Sequence, residues 1–348
     1  MEVDDAVATT HAAAARETLR PLVFVPGWAA LAVAVVPFAA GLQLPPALQY
    51  APLVASALVL GLPHGAVDHL AVARTRGRRP DLRAIARVVA LYIAVGGAYA
   101  VGWFLAPAAA FALFIFLTWF HWGQGDLYAL VALADADYLR SRVQRTGTVV
   151  VRGGLPMLVP LLAFPEWYRR VATTLVGRFA PDAVAALSPA FRPDVRLGLG
   201  LAYGAVVVGT LAVGYARAGD SRAWRLDAAE TLGLVGFFAA VPPVLAIGVY
   251  FCLWHSLRHI ARLLLVDDGA TAALSDGVPT AAFARFARDA APLTLVSLAL
   301  LGGLALLVPN PPESVPEWVG LYLVFIAVVT VPHVVVVTIM DEEQGIWA

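Results

Sequence analysis

Residues 290–308 read AAPLTLVSLALLGGLALLV and contain no charged side chain. A helix of about 20 apolar residues spans the hydrocarbon core of a bilayer, which is roughly 30 Å thick. A second uncharged stretch, residues 29–45, reads AALAVAVVPFAAGLQLP. Stretches of this length and composition predict transmembrane helices, and they decide the fold class.

The composition of the whole chain agrees with these two stretches. The 348 residues are 60% hydrophobic and 14% charged, with a mean hydropathy of +0.78, whereas soluble domains carry roughly 25% charged residues. The net charge is zero, so no basic face points to a nucleic-acid partner. A single cysteine, Cys252, excludes an internal disulfide. We therefore expect a multi-pass protein of the cell membrane.

Hydropathy, together with prolines at the turns, predicts ten transmembrane spans and hence an all-α, polytopic helical bundle of about 10 helices (8–10). The approximate bounds of the spans are 22–42, 48–73, 83–105, 107–130, 146–164, 196–217, 226–241, 243–265, 288–308 and 315–340. We expect a polar N-terminal tail at 1–20, a single transmembrane domain at 21–340 that holds an intramembrane metal site, and a C-terminal tail at 341–348.

Arginine counting sets the orientation, because short cytoplasmic loops are enriched in basic residues. The chain has no lysine, and most of its arginines lie before span 1 or in the loops after spans 2, 4, 6 and 8. Both termini are therefore predicted to be cytoplasmic. The loop 165–195 also carries arginines but should lie outside, where an interfacial helix around Trp167 to Phe179 would anchor it.

Histidines concentrate inside the predicted membrane spans. Of the seven histidines, only His11 lies outside them, although an ionisable side chain at membrane depth is costly and usually marks a functional site. Those in spans 2, 4, 8 and 10 lie at similar depths, roughly 18 to 27 Å from the outer end of each span. The residues in this layer are His64, His121, His255, His259 and His333. Four helices thus present imidazole at one level.

The spacing of these residues suggests a metal site. His255 and His259 are four residues apart and face one side of a helix, so they can hold one ion together. His69 turns roughly 140° away from His64. Neutral imidazoles without a carboxylate or thiolate ligand suit iron, zinc or copper rather than magnesium or calcium. We predict that His64, His121, His255 and His259 bind the metal and carry the catalysis.

Nearby polar residues are expected to support this site. Asp68, four residues after His64, and Asp126, near His121, would orient the ligating imidazoles, and His333 would pack or hydrogen bond beside them. Glycines next to the histidines, such as Gly123, would allow helices to approach closely. Three arginines lie in or near the spans. Arg152 is expected to pair with Asp126 or Glu230, while Arg258 and Arg262 are expected to snorkel to the membrane surface.

The motifs that carry these residues resemble those of the Brp/Blh family of membrane β-carotene 15,15'-dioxygenases. The resemblance runs through GLPHGAVDHL at 61–70, HWGQGD at 121–126, FCLWHSLRHI at 251–260 and TVPH at 330–333. It implies that the iron-binding histidines fall on His64, His121, His255 and His259. The cofactor would be Fe(2+), the substrates β-carotene and O2, and the product two molecules of all-trans-retinal. Such a protein would supply retinal to a microbial rhodopsin.

Other functions remain open at this point. Histidine pairs across transmembrane helices also bind haem in electron-transfer proteins, and a carotenoid or retinal carrier would bind pigment without consuming O2. A di-iron desaturase or hydroxylase would need more histidine boxes than the single HxxxH found here. If the substrate is a carotene, we expect an apolar tunnel across the bundle at the histidine layer, lined by spans 2, 4 and 8, with the metal near its middle.

Overall fold

The computed structural model describes residues 2–348, with side chains from His11 onward, and this part of the chain is helical without any strand. Twelve α-helices and one 3₁₀ helix, Pro181–Phe191, organise it. The α-helices are α1 (Glu2–Ala39), α2 (Pro46–Thr75), α3 (Leu82–Leu105), α4 (Pro107–Tyr128), α5 (Arg142–Ala163), α6 (Pro165–Gly177), α7 (Pro193–Ala218), α8 (Arg222–Ala240), α9 (Pro243–Leu265), α10 (Asp268–Ser275), α11 (Pro279–Leu307) and α12 (Val315–Glu343).

Eight of these helices are long and apolar enough to cross a membrane, which confirms the all-α, polytopic bundle. The other two predicted spans correspond to α4 and α8. Polar side chains within α4, among them His121, Gln124 and Asp126, lower its hydropathy. The predicted helix in the loop 165–195 is also present, as α6, and its face with Ala172, Leu175 and Val176 is buried.

Prolines begin many of the helices. Pro46, Pro107, Pro165, Pro193 and Pro243 each stand at the first turn of a helix, where the missing N–H costs nothing and the fixed φ suits the helix. The connections before α4, α6 and α9 are therefore only a few residues long. The result is a bundle of closely joined helix pairs.

The two ends of the chain lie at the arginine-rich end of the bundle. Arg20 contacts Asp135 in the loop after α4, and Arg142 donates to the carbonyl of Trp347. Arginine bias predicts that this end faces the cytoplasm. The predicted domain boundary at residue 20 falls inside α1, where Leu19 is fully buried, and α12 continues past residue 340 to Glu343.

Irregular turns shape two of the histidine-bearing helices. The α2 helix is interrupted before Gly61, where Leu60 has a φ of 62°, and again at Val67, so that Gly61–Ala66 forms a separate short helix. The α9 helix contains a π-helical stretch at Tyr250–Ser256. Wide π-helical turns are frequent at functional sites, and the one in α9 contains His255.

Close helix contacts depend on glycine. A Cβ atom at Gly123 would collide with the carbonyl oxygen of Val149, so α4 and α5 touch backbone to backbone. At Gly248 a Cβ atom would lie 2.7 Å from the backbone nitrogen of Leu53, which makes the same kind of contact between α9 and α2. The prediction that Gly123 permits close approach is confirmed.

Candidate metal centre

Five histidine rings meet inside the bundle. His64 lies 5.4 Å from both His255 and His259, measured between ring centroids. His121 lies 4.7 Å from His255 and 4.6 Å from His333. All five residues are at most 6% exposed. The structure therefore brings together the four predicted ligands, and it places His333 among them.

The local structure of α2 orients His64. Its Nδ1–H donates to the carbonyl oxygen of Gly61, and Ser256 Oγ lies 3.1 Å from the same nitrogen. A hydrogen bond from one ring nitrogen fixes the tautomer and leaves the other nitrogen as a ligand. Nε2 of His64 is thus the nitrogen available to an ion. Ser256 was not anticipated, because a serine within an apolar span carries no distinct signal.

Several ring nitrogens in the cluster have no protein partner. The Nε2 atoms of His121 and His255 face each other at 3.0 Å. Nδ1 of both residues, Nε2 of His259 and Nε2 of His333 are buried without a hydrogen bond. A buried polar atom without a partner is unfavourable. A cation bound among these rings would satisfy their lone pairs.

Asp68 supports a different histidine from the expected one. Its Oδ2 accepts from Nδ1–H of His333 at 2.7 Å and from the Tyr92 hydroxyl at 2.6 Å. The helix break at Val67 turns Asp68 away from His64, although the two are four residues apart. A carboxylate behind a histidine is common at metal sites, where it orients the ring. His333 therefore presents Nε2 to the cluster, and Tyr92 completes the arrangement.

Asp126 does not reach His121, so this expectation was wrong. Five residues separate the two on α4, which turns their side chains about 140° apart. Asp126 instead accepts from Nε1–H of Trp254 at 2.9 Å and pairs with Arg258 at 3.3 Å. Its neighbour Gln124 donates to Thr338 and Asp341. Both residues join helices behind the histidines rather than orienting a ring.

A network of buried charges lies behind the histidine cluster. Arg152 pairs with Asp227 at 2.8 Å and with Glu230 at 3.0 Å, and its Nη1 lies 3.5 Å from Asp126. The expected pairing of Arg152 is thus confirmed. Arg258 pairs with Glu230 at 2.6 Å. The network joins α4, α5, α8 and α9, and three of its members come from helices other than those of the histidines.

The predicted snorkelling of Arg258 and Arg262 is wrong. Both side chains are 1% exposed. Arg258 stacks 3.8 Å from the ring centroid of Trp254, and Arg262 pairs with Asp341 at 2.8 Å. Carboxylates on other helices supply the partners, so neither guanidinium needs to reach the membrane surface.

His69 and Cys252 stand apart from the cluster. Nδ1–H of His69 donates to the carbonyl of Ala66 at 3.0 Å. The Cys252 thiol lies 3.6 Å from the carbonyl oxygen of Pro52. The donor set is therefore made of imidazoles, with Asp68 beside it. Such a set fits a late divalent metal ion such as iron.

An apolar cavity of about 820 Å³ opens onto the histidines. This volume lies within the range of ligand pockets, about 300 to 1,000 Å³. His64, His121 and His333 form part of the wall, together with aromatic side chains such as Phe111, Trp122 and Phe251. Spans 2, 4 and 8 contribute to it as expected. Helices α3, α11 and α12 also line it, which the sequence did not indicate.

Comparisons with known proteins relate the chain to one family. The family model "Beta-carotene 15,15'-dioxygenase" matches residues 55–341. The chain is 50% identical over 338 residues, 97% of each chain, to "Probable beta-carotene 15,15'-dioxygenase Blh" of Halobacterium salinarum strain NRC-1. It is 36% identical over 327 residues, 90% of this chain and 89% of the relative, to "Probable beta-carotene 15,15'-dioxygenase Brp" of Halobacterium salinarum strain R1. No solved structure matches the chain significantly.

Proposed function

This chain belongs to the β-carotene 15,15'-dioxygenase family, and from that membership we propose that it cleaves β-carotene with O2 at the central double bond. The reaction balances without a reductant, because each carbon of the broken C15=C15' bond takes one oxygen atom. The products are two molecules of all-trans-retinal. We place the enzyme in the cell membrane, where it would supply retinal to a rhodopsin.

A single observation carries this proposal: buried imidazoles with unpartnered nitrogens line an apolar cavity large enough for a lipid-soluble ligand. The proposed ligands of an Fe(2+) ion are His64, His121, His255 and His259. When bound, the ion would supply the site at which O2 is activated. The close ring spacing supports a shared site for these residues, although the ligand atoms that lie within 4.8 Å of one another are those of His64, His121 and His333, and those of Asp68, His259 and His333.

His333 supplies a further imidazole at the same place. Its Nδ1–H is held by Asp68, so Nε2 faces the other rings. We propose that it supports the site rather than binding the ion, since the family resemblance assigns the iron ligands to the other four histidines. Tyr92 holds Asp68 from α3 and thereby fixes the orientation of His333.

The remaining residues prepare the cavity for a polyene. Phe111, Phe114, Trp122 and Phe251 provide apolar and aromatic surface beside the histidines. This surface excludes water, and a site without bulk water protects reactive intermediates from side reactions. The charge network behind the rings contributes no acid or base to the cavity. Its members hold the histidine-bearing helices in register.

The test is expression of the chain in cells that accumulate β-carotene, followed by pigment extraction and chromatography. We expect loss of carotene and formation of retinal, with iron in the purified protein. Carotene that co-purifies unchanged, with no O2 consumed, would identify a carrier. A Soret band that responds to dithionite would identify a haem protein. Either outcome would refute the proposal.

A further inference from the structure

The cavity extends from the histidines in one direction along three helices. Its wall begins at Phe111 on α4, ten residues before His121, and at Leu323 on α12, ten residues before His333. On α9 it begins at Pro243 and Val244, about as far before His255. At 1.5 Å per residue, each stretch is about 15 Å long. On these helices the histidines lie at one end of the cavity rather than at its middle.

Buried side chains close the opposite end of the cavity. Trp103 and Phe179 pack with ring centroids 5.6 Å apart and are at most 8% exposed. Leu175 is buried against Gly320, one turn before the first wall residue of α12. The hydroxyl of Tyr99 on α3 donates to the carbonyl of Ala110 on α4. The next turn of α3, which carries Trp103, therefore lies at the level of Phe111, where the cavity wall on α4 begins. Helix α6, Phe179 just after it and Trp103 near the end of α3 therefore close this end of the cavity.

The side of the cavity is open between α3 and α11. Wall residues on these helices are exposed on the outside of the bundle, with Ile93 at 71%, Val296 at 50% and Leu300 at 60%. Ile93 follows Tyr92, whose hydroxyl bonds Asp68, so this exposed wall reaches the level of the histidines. A lipid-soluble molecule can enter from the bilayer through this opening.

We propose that the closed end sets the position of cleavage by measuring half of the carotene. β-Carotene is about 30 Å long, close to the thickness of the hydrocarbon core, so half of it matches the 15 Å between the closed end and the histidines. One end ring would stop at Trp103, Leu175 and Phe179, which places C15=C15' at the histidines. The other half would extend through the side opening into lipid. This inference rests on the proposed function and adds the origin of its regioselectivity.

A matched pair of glycines on α11 tests the measuring cavity. Gly303 is a wall residue, four residues or about 6 Å before the last wall residue of α11, Leu307. Gly302 is exposed and does not line the cavity. Neither position has an atom within 4 Å of an added Cβ, so both accept a larger side chain. Gly303→Phe would shorten the cavity, whereas Gly302→Phe would face outward.

The readout is the chain length of the products from β-carotene, resolved by chromatography and mass spectrometry. Gly303→Phe should yield one aldehyde shorter and one longer than retinal, because less of the substrate can enter. Gly302→Phe should yield retinal alone. Retinal as the sole product of an active Gly303→Phe would overturn the measuring role. Absence of retinal from the unaltered chain would instead refute the proposed function itself.

A second measurement uses the unaltered chain and therefore does not depend on how a variant folds. The substrate is an apocarotenal that keeps one end ring and its complete half-chain but is truncated on the other side. A cavity that measures from the ring should still release retinal from the intact half. Cleavage at the centre of the shortened polyene would show that the enzyme does not measure from the closed end.

Discussion

Gly248 lies where α9 meets α2, the two helices that carry three of the four proposed ligands. A Cβ atom there would sit 2.7 Å from the backbone nitrogen of Leu53, whereas ordinary contact begins at 3.4 Å. Gly248→Ala must therefore push the helices about 0.7 Å apart, since a backbone atom cannot move aside as a flexible side chain does. Overpacking of a tight core costs roughly 1–3 kcal/mol. A misplacement of about 1 Å can reduce catalysis by about 10²-fold, so we expect at least a tenfold loss here.

The matched control is Gly209→Ala, on the exposed face of α7, where an added Cβ meets no atom within 4 Å. Both changes raise the intrinsic helix propensity equally, by about 1 kcal/mol, so their difference isolates the steric clash. Unfolding in detergent and initial rates of retinal formation should be measured for both. Equal stability and equal rates in the two variants would refute the close contact between α2 and α9.

Three further outcomes are expected. Alanine at each proposed ligand should remove most of the iron, measured by metal analysis, while leaving membrane insertion intact; full iron content in two such variants contradicts the ligand set. His333→Ala should retain more iron than His121→Ala, and equal loss would make His333 a ligand. Arg152→Met leaves Arg258 as the one arginine in a network of three buried carboxylates, of which it contacts Asp126 and Glu230 but not Asp227. The change should cost about 3–5 kcal/mol in the free energy of unfolding. Asp227→Asn in the same chain should restore part of this loss, and a cost below about 1 kcal/mol would show that the network is solvated.

The membrane spans were predictable because the hydropathy of a segment reflects the apolar surface that its helix presents to lipid. The eighth predicted span, 243–265, coincides with α9. The ninth was predicted to start at 288, but α11 begins at Pro279. Residues 279–289 include Arg285, Arg288 and Asp289, so this segment lies outside the hydrophobic stretch but still belongs to the helix. Hydropathy therefore finds the part of a helix within the lipid and misses its polar extension.

The meeting of the histidines was predictable because depth alone brings side chains on parallel spans to one level. The partners of the carboxylates were not. The assignment of Asp68 to His64 assumed a continuous helix, and the break at Val67 invalidates it. Tyr92, the second partner of Asp68, lies on a neighbouring helix. Nothing in the order of spans along the sequence specifies which helices are neighbours.

Arg258 and Arg262 show most clearly that the order of the spans does not specify which side chains become partners. Arginine near the end of a transmembrane span normally extends to the surface, because an isolated charge in the bilayer is costly. Burial becomes tolerable once carboxylates on other helices offer charge and hydrogen bonds together. Arg258 finds Glu230 on α8, and Arg262 finds Asp341 on α12, separated from them by 28 and 79 residues respectively along the chain. Because Arg258 lies between His255 and His259 in the sequence, its ion pairs constrain the same helical turn that presents both imidazoles. One turn of α9 therefore carries a buried charge on one side and two histidines of the cluster on the other. The charge is buried at the place where the position of the helix determines the geometry of the site.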